Sequence, residues 1–170
     1  MQKKMIQFAA AAVMLLVATF ALVGTFAPAP AGAAAATAEL NTPARTGDQV
    51  ALVQGSNQVW AGTIVAVDTN GLAVPASNTA GLKVVGRASR SQNNTVLNYV
   101  STRKLMVERG VFAWGNGSNA FTQAHIMDVA YVMDDSNVST TNQGTQAISA
   151  GRIVDVDTNN ALVWVDTRAR

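Results

Sequence analysis

The residues of this sequence that could do chemistry are few, and the first to consider is a single histidine. His125 is the only histidine and cysteine is absent, so thiolate nucleophiles, disulfides and multi-histidine metal sites within the chain are excluded. A hydrolase would have to combine His125 with Asp128, and two neighbouring side chains would then carry three roles. The sequence has no Gly-x-Ser-x-Gly elbow and no phosphate-binding Gly-rich loop ending in Lys and Ser or Thr. We therefore predict a structural turn at His125 and no enzyme activity.

A second candidate for chemistry is a run of acidic and amide side chains near the end of the chain. Asp155, Asp157 and Asn159 have the spacing of the first, third and fifth positions of a calcium loop. Asp166 falls at the twelfth position but is shorter than the bidentate glutamate expected there, and Asn160 replaces the required glycine. Alternating apolar residues on either side favour a β-hairpin with a polar tip. We therefore predict no metal site and no cofactor.

The other charged side chains fit structural roles better than a binding site. Asp134 and Asp135 lie between apolar segments, where a solvated turn is the ordinary outcome. Four arginines of the middle strands alternate so that several share one face, which we predict to be a solvated edge that limits uncontrolled strand pairing. They are Arg87, Arg90, Arg103 and Arg109.

Large aromatic residues lie inside or at the ends of candidate strands. They are Trp60, Phe112, Trp114 and Trp164. Rings at such positions fill the interior of a barrel or sandwich, and core packing is our leading prediction. The alternative is an exposed ring, at Trp60 or Trp114, that contributes to a subunit interface or to a platform for a glycan or another surface ligand.

Length and charge set the class of protein. A chain of 170 residues has room for one domain with a buried core. The sequence pI is about 9.3, but beyond Lys3 and Lys4 the remaining ten Lys and Arg match the ten Asp and Glu. A nearly neutral domain has no basic stripe for phosphate groups, and we predict that it binds no nucleic acid.

The first 33 residues differ from the rest of the chain. Lys3 and Lys4 precede a nearly unbroken apolar run, after which prolines and the small residues 31–33 follow. This order is typical of a secretory signal peptide, although a run of roughly 20 residues is also long enough for a membrane anchor. A cleaved signal, a retained helix and an extension without an export role remain open. Membrane contact would come only from an uncleaved segment 1–33, and residues 34–40 are predicted to be a small-residue linker.

Residues 41–170 are predicted to form a β-rich domain. Short runs of β-branched and apolar residues alternate with Gly, Asn, Asp and Ser, which favours strands. The candidate strands are 49–53, 59–68, 72–75, 82–91, 103–114, 127–133, 151–157 and 162–166. Asn70–Gly71 and Asn159–Asn160 are expected to form hairpin turns with positive φ, and 119–128 a short helical turn. The expected fold is all-β, a compact barrel or sandwich of short strands with hairpins.

One segment of the domain is echoed later in the chain. Residues 62–71 read GTIVAVDTNG and residues 151–160 read GRIVDVDTNN. Both patterns predict a strand, a polar turn and a second strand. Two copies are too few for a solenoid, so the echo is either convergence of two hairpins or an old duplication.

Several short motifs, taken in order, are similar to those of a known family. They are Leu40-Asn-Thr-Pro-Ala-Arg-Thr-Gly-Asp48, Trp60-Ala-Gly-Thr-Ile-Val-Ala-Val-Asp68, Ala73-Val-Pro75, Gly81-Leu-Lys-Val-Val-Gly-Arg87, Arg109-Gly-Val-Phe112, Ala130-Tyr-Val-Met-Asp-Asp135 and Gly151-Arg-Ile-Val-Asp-Val-Asp157. Across nearly all of 40–166 the chain resembles the phage and prophage capsid decoration, or head fibre-like, proteins.

The resemblance implies a non-enzymatic structural subunit that self-associates, commonly as a trimer, and braces a protein lattice. The implied partners are further copies of the chain and a major capsid protein or other shell subunits, and the implied location is the virion surface. The alternative is an exported extracellular or cell-surface β module that forms filaments or binds a ligand, as the N-terminal segment suggests.

Overall fold

A computed structural model of the chain describes residues 35–117, 121–141 and 146–169. The segment 1–33, predicted to be a signal peptide or anchor, lies outside the described residues. Across the three described ranges, no helix has both the length and the apolar character that crossing a bilayer requires.

Within these ranges the chain is mostly β-structure. The strands are β1 (Ala44–Val53), β2 (Gln58–Val59), β3 (Ile64–Val67), β4 (Ala73–Pro75), β5 (Lys83–Ala88), β6 (Gln92–Asn93), β7 (Lys104–Asn116), β8 (Val129–Val132), β9 (Asn137–Ser139), β10 (Ser149–Asp157) and β11 (Leu162–Asp166). Two single turns of 3₁₀ helix lie at Val96–Asn98 and Gln123–His125, the second within the predicted helical turn 119–128.

Five strands close into a barrel, which decides between the barrel and the sandwich that the sequence left open. Going round, β7 pairs with β11, β11 with β10, β10 with β8 and β8 with β9, all antiparallel. The parallel pairing of β9 with the last residues of β7 closes the ring, with Gly115 opposite Asn137. Because the ring is closed, each of its five strands pairs with a neighbour on either side.

The first half of β7 belongs to a different set of strands. It pairs with β1, from Val53 opposite Lys104 to Gly47 opposite Gly110, and with β5 at Arg87 and Ala88. Beyond β5 the sheet continues to β3 and then β4. The thirteen residues of β7 therefore connect an outer sheet to the barrel.

The core follows the alternation of β7. Among the described residues, one buried cluster includes Phe112, Trp114, Ile153 and Val165, inside and beside the barrel. A second cluster includes Val59, Leu105 and Val107, under the outer sheet. Because successive side chains of a strand point to opposite faces, one long strand supplies residues to both clusters.

Most of the expected strands are present, with three departures. The expected strand 59–68 is broken, because Gly62 adopts φ +85° between β2 and β3. The strands β6 and β9 were not expected: they contain mainly Gln, Asn and Ser, whose β propensity is low. Each is only two or three residues long: β6 forms by pairing with β2, and β9 lies between β8 and the end of β7 and pairs with both.

The two expected hairpins form, and their turns differ in part from expectation. In the β3–β4 turn, Gly71 has φ +77°, but Asn70 is not in the positive region. In the β10–β11 turn the expectation of positive φ at Asn159 and Asn160 is wrong, since Ala161 takes it with φ +51°. Asp157 holds the two asparagines instead: its carboxylate accepts their backbone N–H groups and the Asn160 side-chain amide.

The two similar segments, 62–71 and 151–160, share a structural feature. Gly62 lies just before β3 and Gly151 lies within β10, the first strands of the two hairpins, and both glycines have positive φ. A Cβ at Gly62 would lie 2.0 Å from the carbonyl oxygen of Leu40, and one at Gly151 would lie 2.2 Å from that of Asp166. In both copies glycine therefore allows another backbone to approach closely.

Gly62 and Gly71 allow a matched pair of substitutions. Gly71→Ala should cost about 1 kcal/mol, since Gly71 has positive φ but nothing lies within 4 Å of its missing Cβ. Gly62→Ala should cost about 3 kcal/mol or more, because the same conformational penalty is joined by displacement of Leu40. Urea unfolding of both variants measures the difference. Equal losses in the free energy of unfolding would show that the Leu40 backbone moves aside without cost.

Candidate interaction surface

The only histidine has a structural role. The backbone N–H of Thr122 donates to Nδ1 of His125 at 3.0 Å, and the imidazole lies edge-on to the buried ring of Phe121, with centroids 6.0 Å apart. The backbone N–H of Asp128 donates to the His125 carbonyl oxygen. These contacts form the structural turn that the sequence predicted around His125.

The acidic run near the end of the chain forms the predicted hairpin with a polar tip. Asp155 lies in β10 opposite Trp164, and Asp157 caps the turn. Asp166 lies at the far end of β11, where Arg168 binds its carboxylate and lowers its pKa. In the ranges 35–117, 121–141 and 146–169, no three His, Cys, Asp or Glu side chains group so as to hold a metal ion.

Asp134 and Asp135 lie in the predicted turn, but both are buried rather than solvated. Oδ1 of Asp134 accepts the backbone N–H groups of Ser136 and Asn137 and so shapes the turn between β8 and β9. Oδ1 of Asp135 accepts the backbone N–H of Ala36 at 2.7 Å. Burial raises the pKa of Asp135, and the nearby charge of Asp134 adds to the rise, while the Ala36 hydrogen bond opposes it.

The aromatic residues divide between the core and half-buried positions. Phe112 and Trp114 are buried, as core packing predicted, and Trp114 donates from Nε1 to the Gly62 carbonyl oxygen at 3.1 Å. Trp114 is therefore not available as a surface platform. Trp60 and Trp164 are half-buried.

The four arginines do not share one solvated face. Arg87 pairs with Glu108 across β5 and β7, and its guanidinium lies 4.9 Å from the centroid of the Phe112 ring. Its side chain is only 18% exposed, so the expectation of a solvated edge is wrong for this residue. Arg90 is exposed, whereas Arg103 and Arg109 are half-buried.

The most exposed large apolar side chains lie in one loop between β6 and β7. Leu97 is 94% exposed and Val96 is 84% exposed, and Tyr99 and Val100 are also exposed. We call residues 94–100 the apolar loop. Scattered exposed apolar residues are normal, but four within five consecutive positions form a contiguous patch, and such patches mark interaction sites.

A buried side chain holds the apolar loop in place. Asn94 is fully buried, and its Nδ2 donates to the carbonyl oxygens of Gln54 and Gly55, at the end of β1. Its Oδ1 accepts the backbone N–H of Val100 at 2.8 Å, and its Nδ2 also approaches the Val100 carbonyl oxygen at 3.3 Å. One side chain thus joins both ends of the loop to the sheet.

Further contacts fix the residues around Asn94. Nε2 of the buried Gln54 donates to the carbonyl oxygens of Asn57 and Gln92, and the guanidinium of Arg103 donates to the Asn93 carbonyl oxygen. These hydrogen bonds hold Asn94 and the residues next to it in place, although Oε1 of Gln54 is buried without a hydrogen-bond partner. The loop therefore presents Val96 and Leu97 to solvent without the entropy cost that ordering a flexible loop would add on binding.

The second feature of the surface begins with residues 35–43, which we call the strap. The strap runs across the domain and is fastened at several points: Ala36 to Asp135, and Leu40 through its backbone N–H to the carbonyl oxygen of Ala61 at 2.9 Å. The predicted linker 34–40, of which the structure describes 35–40, thus contacts the domain.

The end of the strap is fastened to the sheet and the barrel. Oγ1 of the buried Thr42 donates to the Gly62 carbonyl oxygen at 2.8 Å, and Arg87 donates to the Thr42 carbonyl oxygen. Between the strap and the barrel lies a cavity of about 400 Å³, which we call the strap cavity. Its apolar lining includes Leu40, Pro43 and Trp114, and among the residues that the structure describes no charged one lines it.

Comparison with known proteins gives no relative for this chain: no protein-family model, no curated protein and no solved structure matches it. The functional interpretation therefore depends on the geometry and on the motif resemblance described above.

The apolar loop was not predicted from the sequence. A signal was present, because the segment NNTVLNYVS contains four large apolar residues among polar ones and matches no strand or helix period. An apolar residue that no regular element can bury is a candidate for exposure. That the apolar loop is exposed became evident only from the position of Asn94 in the structure.

The contacts of Asn94 generate a prediction about the apolar loop. Asn94→Ala should destabilise the protein by about 2 kcal/mol, because buried carbonyl groups lose their donor, and should speed hydrogen exchange at the Val100 amide. The exposed neighbour provides the control, as Asn98→Ala should leave both quantities nearly unchanged. Unaltered exchange in Asn94→Ala would mean that the loop is held by other contacts.

The environment of Asp135 generates a pH prediction. The pKa of Asp135 is higher in the folded protein than in the unfolded chain. At pH values between the ordinary pKa and the raised one, the folded state therefore binds more protons than the unfolded state. The contribution of Asp135 to stability therefore falls as the pH rises through that window. Asp135→Asn keeps an acceptor for Ala36 without the charge. We therefore expect the free energy of unfolding of this variant to increase relative to that of the wild type as the pH rises across the window.

Unfolding of both proteins by denaturant at a series of pH values measures the effect. Asp128→Asn, at an exposed position, controls for the loss of one acidic group from the chain. Wild-type and Asp135→Asn curves that remain parallel from acid to neutral pH would contradict the prediction.

Proposed function

We propose that this chain is a non-enzymatic structural subunit that self-associates and braces a protein lattice, as capsid decoration proteins do. The observation that carries the proposal is Leu97, an aliphatic side chain held 94% exposed on a loop that buried Asn94 fixes in place. An exposed apolar anchor on a rigid support is what a protein–protein interface needs. In a subunit that remained monomeric, this apolar side chain would have nothing to bind.

Two further observations support the proposal. The motif resemblance to phage capsid decoration proteins implies assembly on a shell, at the surface of a virion. The chemistry-bearing residues that the sequence offered, His125 and the acidic run from Asp155, take structural roles in turns and a hairpin. The functional features that stand out are surfaces rather than reactive groups.

The test is the assembly state of the full chain. Wild-type protein should sediment as a homo-oligomer, and Leu97→Asp should weaken association at least tenfold, because burying one leucine contributes about 1.5–3 kcal/mol. Sedimentation velocity over a concentration series, with native mass spectrometry, measures both. Thermal unfolding confirms that the variant is folded.

Met127 provides a matched control, since it is 64% exposed and lies in a different loop. Met127→Asp should leave association unchanged. Its φ of +76° is tolerated by aspartate, so the variant should fold. A wild-type chain that remains monomeric at all concentrations and binds no shell would overturn the proposal.

A further inference from the structure

Two apolar features of this protein lie at opposite ends of β7. The apolar loop is joined to the start of the strand, where the backbone N–H of Gln54 donates to the carbonyl oxygen of Arg103. The strap cavity lies against the other end, where Ala113, Trp114 and Gly115 form part of its lining. At about 3.3 Å per residue, roughly 30 Å of strand separates them. The loop of one molecule therefore cannot fill the cavity of the same molecule.

The two features match in chemistry. The apolar loop presents Val96 and Leu97, and no residue of 94–100 is charged. The strap cavity has apolar walls at Leu40, Pro43 and Leu162, and no charged residue of the ranges 35–117, 121–141 and 146–169 lines it. Val96 and Leu97 would therefore meet no charged group among the described residues of the cavity, and desolvation of charge is the usual obstacle to burying a surface segment.

The size of the cavity also suits the loop. A volume of about 400 Å³ is near the lower end of the range for sites that enclose drug-sized molecules. Two short aliphatic side chains are smaller than such molecules and would fit. Both walls are fixed, because Thr42 anchors the strap to Gly62 and Ala113 and Trp114 belong to β7. A preformed pocket facing a preformed anchor is the arrangement of an interface hot spot.

We propose that the strap cavity of one copy receives Val96 and Leu97 of a second copy. The inference rests on the proposed function and specifies its geometry: each molecule offers its loop to one neighbour and its cavity to another. Such a heterologous contact produces a closed ring when the rotation between copies closes, and a filament when it does not.

A two-fold contact is the competing arrangement between copies. Loop against loop would bury Leu97 on Leu97 and would leave the cavity unused. The two arrangements differ in one measurable respect, because a loop-against-loop contact joins residue 97 of one copy to residue 97 of the other, whereas the proposed contact joins residue 97 to the cavity rim. The absence of cysteine from the whole sequence makes this test clean.

The first experiment is disulfide crosslinking between copies. One full-length variant carries Leu97→Cys, and the second carries Asn41→Cys or, as an alternative rim position, Pro43→Cys. Asn41 and Pro43 are exposed and line the cavity. Mild oxidation of the mixture should give a heterodimer joined between residue 97 and the rim, since the Cα atoms would approach within the roughly 4.4–6.8 Å span of a disulfide. Met127→Cys mixed with Asn41→Cys should not crosslink.

The outcomes distinguish the possibilities. A heterodimer at either rim position supports the proposal. Oxidation of Leu97→Cys alone to a homodimer, without the mixed product, would establish a two-fold contact and overturn it. Assembly of the wild type without any crosslink at either rim position would overturn the inference while leaving the proposed function intact. A wild type that remains monomeric would overturn both.

A second experiment does not depend on disulfide geometry. Leu97→Asp removes the anchor and keeps the cavity, whereas Asn41→Glu places a charge at the cavity rim and keeps the anchor. Each variant alone should fail to assemble, and the mixture should form a one-to-one heterodimer, since one intact loop and one intact cavity remain. Circular dichroism verifies that both variants are folded. A mixture that stays monomeric, while the wild type assembles, would overturn the proposed contact.

Discussion

The carbonyl oxygen of Gly62 accepts hydrogen bonds from two buried donors, Trp114 Nε1 at 3.1 Å and Thr42 Oγ1 at 2.8 Å. Trp114 belongs to the barrel core, Thr42 to the strap, and the Gly62 N–H donates to the carbonyl oxygen of Ala88 at the end of β5. Barrel, strap and outer sheet therefore meet at one glycine. The arrangement needs glycine there, because φ is positive and the Leu40 backbone occupies the space of a side chain.

From this junction β7 connects the two halves of the domain. Its first residues pair with β1 and β5 and its last with β11 and β9, so a single strand sets the distance between the apolar loop and the strap cavity. β7 is paired with β1 along its first part and with β11 along its last part, and these pairings hold its two ends in one sheet. A rigid spacer between an anchor and a cavity is what repeated assembly requires, since each added copy must repeat the same geometry.

Short-range sequence patterns were sufficient to predict much of the fold. Alternation in β7 and in the β10–β11 hairpin predicted all three strands and the burial of Phe112 and Trp114, since strand formation and burial depend on the same period of two. The echo of residues 62–71 in 151–160 predicted two hairpins, and both form. Pattern failed for β6 and β9, whose polar residues become strands because β2 pairs with β6 and because β9 lies between β8 and the end of β7.

The sequence by itself determined the all-β class, the hairpins and the structural turn at His125, because each depends on neighbours along the chain. Only the tertiary structure decided the closure of the barrel, the burial of Arg87 against Phe112 and Glu108, and the exposure of Leu97. The segment around Leu97 matches no strand or helix period, which makes Leu97 a candidate for exposure but does not decide it. Its exposure follows from Asn94, which bonds to Gln54 and Gly55 some 40 residues away, and contacts at that separation have no local signal.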